Sequence, residues 1–139
     1  YIYDQGIYTF LSPHVVRIES EEAKDLLNEK DLLILDARKD EEFRTSHLQG
    51  ALHSDPAMLD TIPKNQALLI YCTIGVRSNR EAQKASEKGF QQIYEMKDGI
   101  IGWANATFQL IDLDGQPTDS VHTYNKSFSP LLKKGTAVY

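Results

Sequence analysis

The sequence has few of the residues that would build a disulfide or a metal site. It contains one cysteine, Cys72, so it forms no internal disulfide and carries no second thiol that could resolve a modified first one. Its histidines include no closely spaced pair of the kind that binds a metal ion. They are His14, His47, His53 and His122. We therefore expect no metal and no bound cofactor.

A basic excess and a long apolar run are also missing. Lys and Arg total 15 against 20 Asp and Glu, and the net charge of −5 argues against a general nucleic-acid-binding protein. No apolar run approaches the ~20 residues that cross a membrane. The chain begins with Tyr1 instead of Met, as a trimmed chain or one that has lost its leader would. We expect a soluble protein that is either cytoplasmic or exported after removal of a leader, and the sequence does not distinguish the two.

The stretch around Cys72 carries the strongest signal in the chain. An apolar run over residues 67–71 predicts a buried strand, and Cys72 follows its last residue. A short loop with Gly75 at its centre comes next. Good helix formers over residues 79–88 then stop in front of a glycine, which is typical of a helix end. Cys72 is therefore expected at the carboxyl end of a strand, where sites form in open α/β sheets.

A cysteine in this position is suited to nucleophilic chemistry. The reactive form is the thiolate, and converging loop amides together with the free N–H groups of a helix start favour an anion. Arg77 adds a positive charge close to the thiol. The competing interpretation is a buried, inert cysteine, because free cysteine is among the most buried residue types. The succession of strand, cysteine, loop, arginine and helix favours the reactive interpretation.

Strand and helix patterns alternate over residues 15–106, which predicts an α/β fold with a parallel sheet and helices on both faces. Asp36 and Arg38 follow an apolar strand over residues 32–35, and they are candidate supporting residues beside the Cys72 loop. We favour the simpler interpretation of an ion pair or a turn cap, because Asp commonly ends a strand in that role.

The residues around Cys72 resemble the active-site loop of single-domain rhodanese-like sulfurtransferases, which has the form Y-C-x-x-G-x-R-S. Residues 33–51 are similar to the family's D-x-R…E-F…G-H-I-x-G-A segment, and residues 89–103 to its closing G-F…V-Y…G-G-x-x-x-W segment. The resemblance covers roughly residues 15–106. Each segment alone is weak evidence, but all three in the same order at the family's spacing are specific.

The resemblance implies a rhodanese-like domain with a five-stranded, mainly parallel sheet and a persulfide on Cys72. The residues that it implies for substrate binding and for holding the outer sulfur are Thr73, Ile74, Gly75, Val76, Arg77 and Ser78. It makes His47 mainly structural instead of a catalytic base. It also divides the chain into an N-terminal extension (1–14), the rhodanese-like domain (15–106) and a C-terminal extension (107–139). The last is too apolar for a free tail and is expected to pack back on the domain.

Three functions compete for this pattern. In the first, a small-molecule sulfur donor such as thiosulfate gives a sulfane sulfur to Cys72, which passes it to cyanide, a thiol or a protein. The second is a protein-binding or regulatory module with little turnover, although such modules often lack the cysteine. The third is a cysteine phosphatase or arsenate reductase, but phosphatases typically have five residues between Cys and Arg, and Cys72 and Arg77 are separated by four. The shorter loop suits a sulfur atom better than a tetrahedral oxyanion, so we expect a sulfurtransferase.

Overall fold

The computed structural model describes residues 13–139, and at its centre lies a five-stranded sheet in which every pairing is parallel. The order across the sheet is β1-β5-β4-β2-β3, so β4 lies in the middle. The strands are β1 (Val15–Ile18), β2 (Leu32–Asp36), β3 (Leu52–His53), β4 (Ala67–Tyr71) and β5 (Ile93–Met96). The predicted α/β fold with a five-stranded, mainly parallel sheet is confirmed.

Helices cover both faces of this sheet. Two buried hydrophobic clusters flank β4. One contains Leu69, Tyr71 and side chains from two helices, and the other contains Leu68, Ile70 and side chains from a third helix. Neighbouring residues of a strand point to opposite faces, so the two clusters lie on opposite sides of β4. The α-helices of residues 13–139 are α1 (Ser20–Glu29), α2 (Asp40–Thr45), α3 (Arg77–Glu87) and α4 (Gly99–Asn105), and none is long and apolar enough to cross a bilayer. The first cluster includes residues of α1 and α4, and the second includes residues of α3.

The sheet register brings three strand ends together beside Cys72. Tyr71, the last residue of β4, pairs with Asp36 of β2, and Ile70 pairs with Glu95 of β5. All five residues of β4 are buried, as expected for a strand covered on both faces. Cys72 leaves the sheet directly after β4, between the carboxyl ends of its two neighbours.

The helix after Cys72 begins earlier than the sequence pattern indicates. Residues 79–88 were the expected helix, but α3 starts at Arg77 and ends at Glu87. The prediction was wrong at the start because Gly75, with a φ of +96°, turns the chain sharply enough for the helix to begin two residues later. Arg77 and Ser78 therefore belong to the first turn of α3 instead of to the loop.

The segment after residue 106 forms short strands that lie against the domain. These are β6 (Leu110–Ile111), β7 (Pro117–Thr118), β8 (Ser120–His122) and β9 (Thr136–Val138). Leu110 and Val121 are buried in the same cluster as Trp103, and Ile111 forms two backbone hydrogen bonds of 3.0 Å with His47. A 3₁₀ helix over Lys126–Leu131 follows β8. The predicted N-terminal extension lies almost wholly outside the described residues.

Candidate active site

Cys72 is buried, and its sulfur atom has two polar neighbours from the residues that follow it. The backbone N–H of Gly75 donates a hydrogen bond to Sγ at 3.0 Å, and the hydroxyl oxygen of Ser78 lies 3.4 Å from the same atom. We call residues 72–76 the Cys72 loop. This geometry places one amide donor and one hydroxyl on the sulfur, which is the arrangement that stabilises a sulfur anion.

Gly75 is required by the close approach of the Cys72 loop to the end of β5. Its φ of +96° is strained for any residue with a side chain. A Cβ atom at this position would lie only 2.2 Å from the carbonyl oxygen of Lys97. The guanidinium group of Arg17 also donates to the Gly75 carbonyl at 3.3 Å, which fixes the turn from the β1 side.

On its outer side the Cys72 loop is held by Glu42 of α2. Arg77 donates two hydrogen bonds to the two carboxylate oxygens of Glu42, at 2.7 and 2.9 Å, and Thr73 donates a third at 2.8 Å. Burial alone would raise the pKa of Glu42. Hydrogen bonds from Arg77, Thr73 and the Lys39 amide outweigh this effect and lower the pKa of Glu42 to about 2. Glu42 is therefore a permanent anion that fixes the direction of the Arg77 side chain.

On its inner side the Cys72 loop is held by Glu95 of β5. The Ser78 hydroxyl donates to one carboxylate oxygen of Glu95, and the Arg17 guanidinium donates to the other. Glu95 is fully buried, and this burial raises its pKa even though Ser78 and Arg17 act in the opposite direction. A hydrogen-bonded chain thus runs from Arg17 through Glu95 and Ser78 to the sulfur of Cys72.

Asp36 and Arg38 form a buried ion pair next to the Cys72 loop. Nε of Arg38 donates to Asp36 at 3.0 Å and Nη2 at 2.8 Å, and the Tyr71 hydroxyl donates to the same carboxylate at 2.6 Å. Burial, reinforced by the charge of Asp36, raises the pKa of Tyr71. Among the described hydrogen bonds, none joins either residue of the pair to Cys72. The pair positions the end of β4 through Tyr71. His47 is not part of this pair: its Nδ1 lies 2.9 Å from the Phe43 carbonyl oxygen.

Cys72 lines a cleft of about 270 Å³. Arg77 and Arg80 contribute positive charge to its wall, and Tyr124 and Phe128 contribute aromatic rings from the C-terminal segment. The Tyr124 ring centre lies 4.6 Å from the guanidinium carbon of Arg77, so the ring covers the cation. The other lining residues are Cys72, Thr73, Ile74 and Val76. A small anion with an organic group has both a charged and an apolar surface to contact here.

The structure brings the six predicted loop residues together, but in different roles. Gly75 and Ser78 contact the sulfur, whereas Thr73 and Arg77 bind Glu42. Ile74 and Val76 line the cleft. The residues 13–139 contain no cluster of His, Cys, Asp and Glu side chains that could hold a metal ion.

Comparison with known proteins places this geometry in a family. The family model described as Rhodanese-like domain matches residues 19–106, well over half of the chain. This chain belongs to the rhodanese-like domain family. The resemblance seen in the Cys72 motif is therefore confirmed. In this rhodanese-like domain the match ends before Tyr124 and Phe128, so those two cleft residues come from outside the family region.

Relatives of this rhodanese-like domain include two kinds of curated protein. The chain is 31% identical to thiosulfate sulfurtransferase GlpE of Coxiella burnetii (strain RSA 493 / Nine Mile phase I) over 91 residues, which is 63% of this chain and 85% of that protein. It is 28% identical to tRNA uridine(34) hydroxylase of Pelagibacter ubique over 93 residues, 62% of this chain and 31% of that protein. The chain thus spans about a third of the hydroxylases that it matches.

Solved structures show the same fold. A thiosulfate sulfurtransferase from Pseudomonas aeruginosa superimposes with a TM-score of 0.63 at 26% identity, covering 74% of this chain and 21% of that one. A rhodanese-like domain protein from Staphylococcus aureus has a TM-score of 0.58 at 28% identity, covering 63% and 89%. Both similarities support membership of the rhodanese superfamily.

Some residues of the site escaped the sequence analysis. Glu42 belonged to a recognised motif but was not assigned to the site, and Tyr124 and Phe128 stood out only as apolar residues. Glu95 was missed altogether. Its signal was present, since it is the one charged residue within β5, Ile93–Met96. A lone charge at a position that faces a buried helix indicates a specific partner.

Proposed function

We propose that the protein is a sulfurtransferase that carries a sulfane sulfur as a persulfide on Cys72. The observation that carries this proposal is the position of Cys72 in the lining of a small cleft, with the Gly75 N–H 3.0 Å from its sulfur. We propose that a sulfur atom added to Sγ occupies this cleft beside the Gly75 amide. Similarity to thiosulfate sulfurtransferases supports the same reaction.

The reaction has two halves that exchange one sulfur atom. In the first, the Cys72 thiolate attacks the outer sulfur of a donor such as thiosulfate, a new S–S bond forms, and sulfite leaves with the electron pair of the broken bond. In the second, cyanide, a thiolate or a protein nucleophile attacks the outer sulfur of the persulfide, and the Cys72 thiolate leaves. The enzyme returns to its starting state without an added oxidant or reductant.

Arg77 is proposed to orient the donor and to stabilise the negative charge of the persulfide. Arg suits this role because it remains charged and because its planar group can bind an oxyanion through two N–H groups. Glu42 holds one side of the guanidinium and the ring of Tyr124 covers a face of it. Arg80 supplies a second cation to the same cleft.

The test is an intact mass measurement after sulfur loading. The protein is incubated with thiosulfate, desalted and weighed, and we expect a gain of one sulfur atom that is absent from the Cys72→Ser variant. Cyanide should then remove that sulfur and yield thiocyanate. If neither thiosulfate, mercaptopyruvate nor a persulfide donor adds sulfur, the protein-binding module replaces the enzyme as the explanation.

A second assay distinguishes the phosphatase alternative. The spacing of four residues between Cys72 and Arg77 supports negligible hydrolysis of an aryl phosphate. Turnover that disappears in the Cys72→Ser variant would contradict this expectation.

A further inference from the structure

We propose that Glu95 stores the proton of Cys72 and exchanges it with the sulfur through the Ser78 hydroxyl. The three groups form one continuous line from β5 to the end of β4. Ser78 bonds to a carboxylate oxygen of Glu95 and lies 3.4 Å from the Cys72 sulfur. Ser78 and Glu95 are both fully buried, so bulk water does not interrupt the line.

This line of Cys72, Ser78 and Glu95 has two states in which all its hydrogen bonds are formed. The states differ only in whether Cys72 or Glu95 carries the transferable proton. In one state, Cys72 is a thiol that donates to the Ser78 oxygen, and the Ser78 hydroxyl donates to the Glu95 carboxylate. In the other, Glu95 is protonated and donates to Ser78, whose hydroxyl turns to donate to the Cys72 thiolate. Each state satisfies every polar group, because a hydroxyl can donate one hydrogen bond and accept another at once.

The charges around Glu95 favour exchange of this proton. Burial raises the pKa of Glu95 above that of an ordinary carboxyl, and the nearby charge of Asp98 acts in the same direction. Arg17 opposes them by binding the other carboxylate oxygen. On the sulfur side, Arg77 contributes a positive charge to the wall of the cleft that Cys72 lines. Glu95 is therefore a stronger proton acceptor than an exposed carboxylate would be, while remaining paired.

Proton storage on Glu95 would serve both halves of the proposed sulfur transfer, and this part of the inference rests on that proposed function. Before Cys72 attacks the donor as a thiolate, its proton passes to Ser78 and the Ser78 proton passes to Glu95. When an acceptor thiolate removes the outer sulfur, the proton returns by the same route to the departing Cys72 sulfur. No net proton is gained or lost by the line over one cycle, and the leaving thiolate is neutralised where it forms.

A purely structural role for Glu95 makes a different prediction. If Glu95 serves only to bind Arg17 and to support the loop, its loss should slow every reaction of Cys72 in parallel. If Glu95 stores the proton, its loss should change thiolate formation and sulfur discharge in opposite directions. The two roles are therefore separated by measuring both reactions on the same variants.

The experiment compares the wild type with the Glu95→Gln variant. The first reaction is alkylation of Cys72 by iodoacetamide over a range of pH, and the second is discharge of a loaded persulfide to a small thiol. The introduced amide donates permanently to Ser78 and leaves the Ser78 hydroxyl directed at the sulfur. We expect several-fold faster alkylation at mildly acidic pH and discharge slower by about tenfold or more. Parallel loss of both reactions, or two unchanged reactions, would overturn the proposal.

Ser78→Ala tests the route itself and keeps the Glu95–Arg17 pair. It should slow alkylation at mildly acidic pH several-fold, because the thiolate loses its hydroxyl donor and its path to Glu95. In the Ser78→Ala background, Glu95→Gln should have no further effect on alkylation. An effect that persists in that background would come from charge alone and would contradict proton exchange through Ser78. If Glu95→Gln fails to fold, an unchanged alkylation profile in Ser78→Ala would be decisive against the route.

The alkylation outcomes do not depend on whether the protein transfers sulfur, whereas the discharge assay requires a loaded persulfide. Alkylation needs no sulfur donor. Faster alkylation in Glu95→Gln that disappears in the Ser78→Ala background, without any persulfide, would therefore support the proton store and reject the sulfurtransferase. Persulfide formation with coincident profiles in wild type and variants would support the sulfurtransferase and reject the proton store.

Discussion

Two glutamates hold the Cys72 loop from opposite sides, and their surroundings change their acidity in opposite directions. Glu42 receives two hydrogen bonds from Arg77 and one from Thr73, and its pKa falls to about 2. Glu95 is bound by Arg17 and Ser78, yet its burial prevails and its pKa rises. The two residues have the same chemical group, but Glu42 on the outer side is a fixed anion and Glu95 on the inner side is a proton acceptor.

The difference follows from the number and the charge of the donors. A bidentate guanidinium matches both oxygens of Glu42, and hydroxyl and amide donors add to it, so the ionised form is strongly favoured. At Glu95 one guanidinium N–H and one hydroxyl face a carboxylate that has lost all its water. Fewer charged donors leave part of the desolvation cost uncompensated. The site therefore combines a permanent anion, which directs the Arg77 cation, with a carboxylate that can exchange a proton.

The largest effect is expected from Gly75→Ala, which breaks the contact of the loop with the β5 side. The new Cβ would meet the Lys97 carbonyl oxygen at 2.2 Å, and the φ of +96° would be strained as well. We expect a loss of about 3 kcal/mol or more in the free energy of unfolding, and persulfide formation reduced at least a hundredfold, because the sulfur loses its amide donor. Urea unfolding and thiosulfate loading measure the two effects.

Gly89→Ala is the matched control for this prediction. Gly89 also has a positive φ, +103°, but a Cβ there would meet nothing within 4 Å. The Gly89→Ala variant should therefore lose only about 1 kcal/mol of unfolding free energy, from the strained φ, and should retain sulfur loading. Equal losses at the two glycines would show that close approach to β5 contributes nothing.

An intermediate effect is expected from Glu42→Gln on the outer side. The pKa of Glu42 is lowered from 4.5 to about 2 in the folded protein. Its ionised form therefore contributes roughly 3 kcal/mol above about pH 4.5, and this contribution disappears as the pH falls to about 2. The difference in unfolding free energy between wild type and Glu42→Gln should follow that course in urea titrations. Sulfur transfer at neutral pH should fall about tenfold, because Arg77 is no longer directed.

The same pH series provides two controls. Glu95→Gln should show a trend of opposite sign: the raised pKa means that the folded state binds the proton more tightly, so the contribution of Glu95 decreases as the pH rises through its folded pKa. Asp40→Asn removes an exposed ion pair with Arg44 and should change stability little, since both side chains are more than 60% exposed. Parallel trends for the two glutamates would contradict the comparison.

The smallest effect is expected from Tyr124→Ala, which removes the ring over Arg77. The contact of 4.6 Å is at the cleft surface, so its loss should cost less than about 1 kcal/mol of stability. The KM for an organic thiosulfonate donor should rise several-fold while kcat changes little, and the KM for thiosulfate should rise less. Tyr124→Phe keeps the ring and should behave like the wild type. A fall in kcat without a change in KM would place Tyr124 in the chemical step instead of in binding.

Local sequence patterns were sufficient to predict the parts of the site that are continuous in the chain. The apolar run before Cys72 and the glycine after it identified a strand end and a tight loop. The motif spacing pointed to the correct family. The start of α3 was predicted two residues late, because a positive φ at Gly75 depends on a close approach to β5 that no local pattern encodes.

The remaining parts depend on tertiary structure, because the residues involved are far apart in the chain. The sequence by itself determined the order of strands and helices and the position of Cys72 after a buried strand, since hydrophobic periodicity and turn residues act over a few neighbours. The sheet register, which pairs Ile70 with Glu95, and the packing of α3 together decided that Glu95 lies beside Ser78. Only folding brought Glu42 to Arg77 and Tyr124 over it, across separations of 35 and 47 residues. Opposite shifts in the two glutamate pKa values arise from burial and partners, which exist only after these distant segments have packed together.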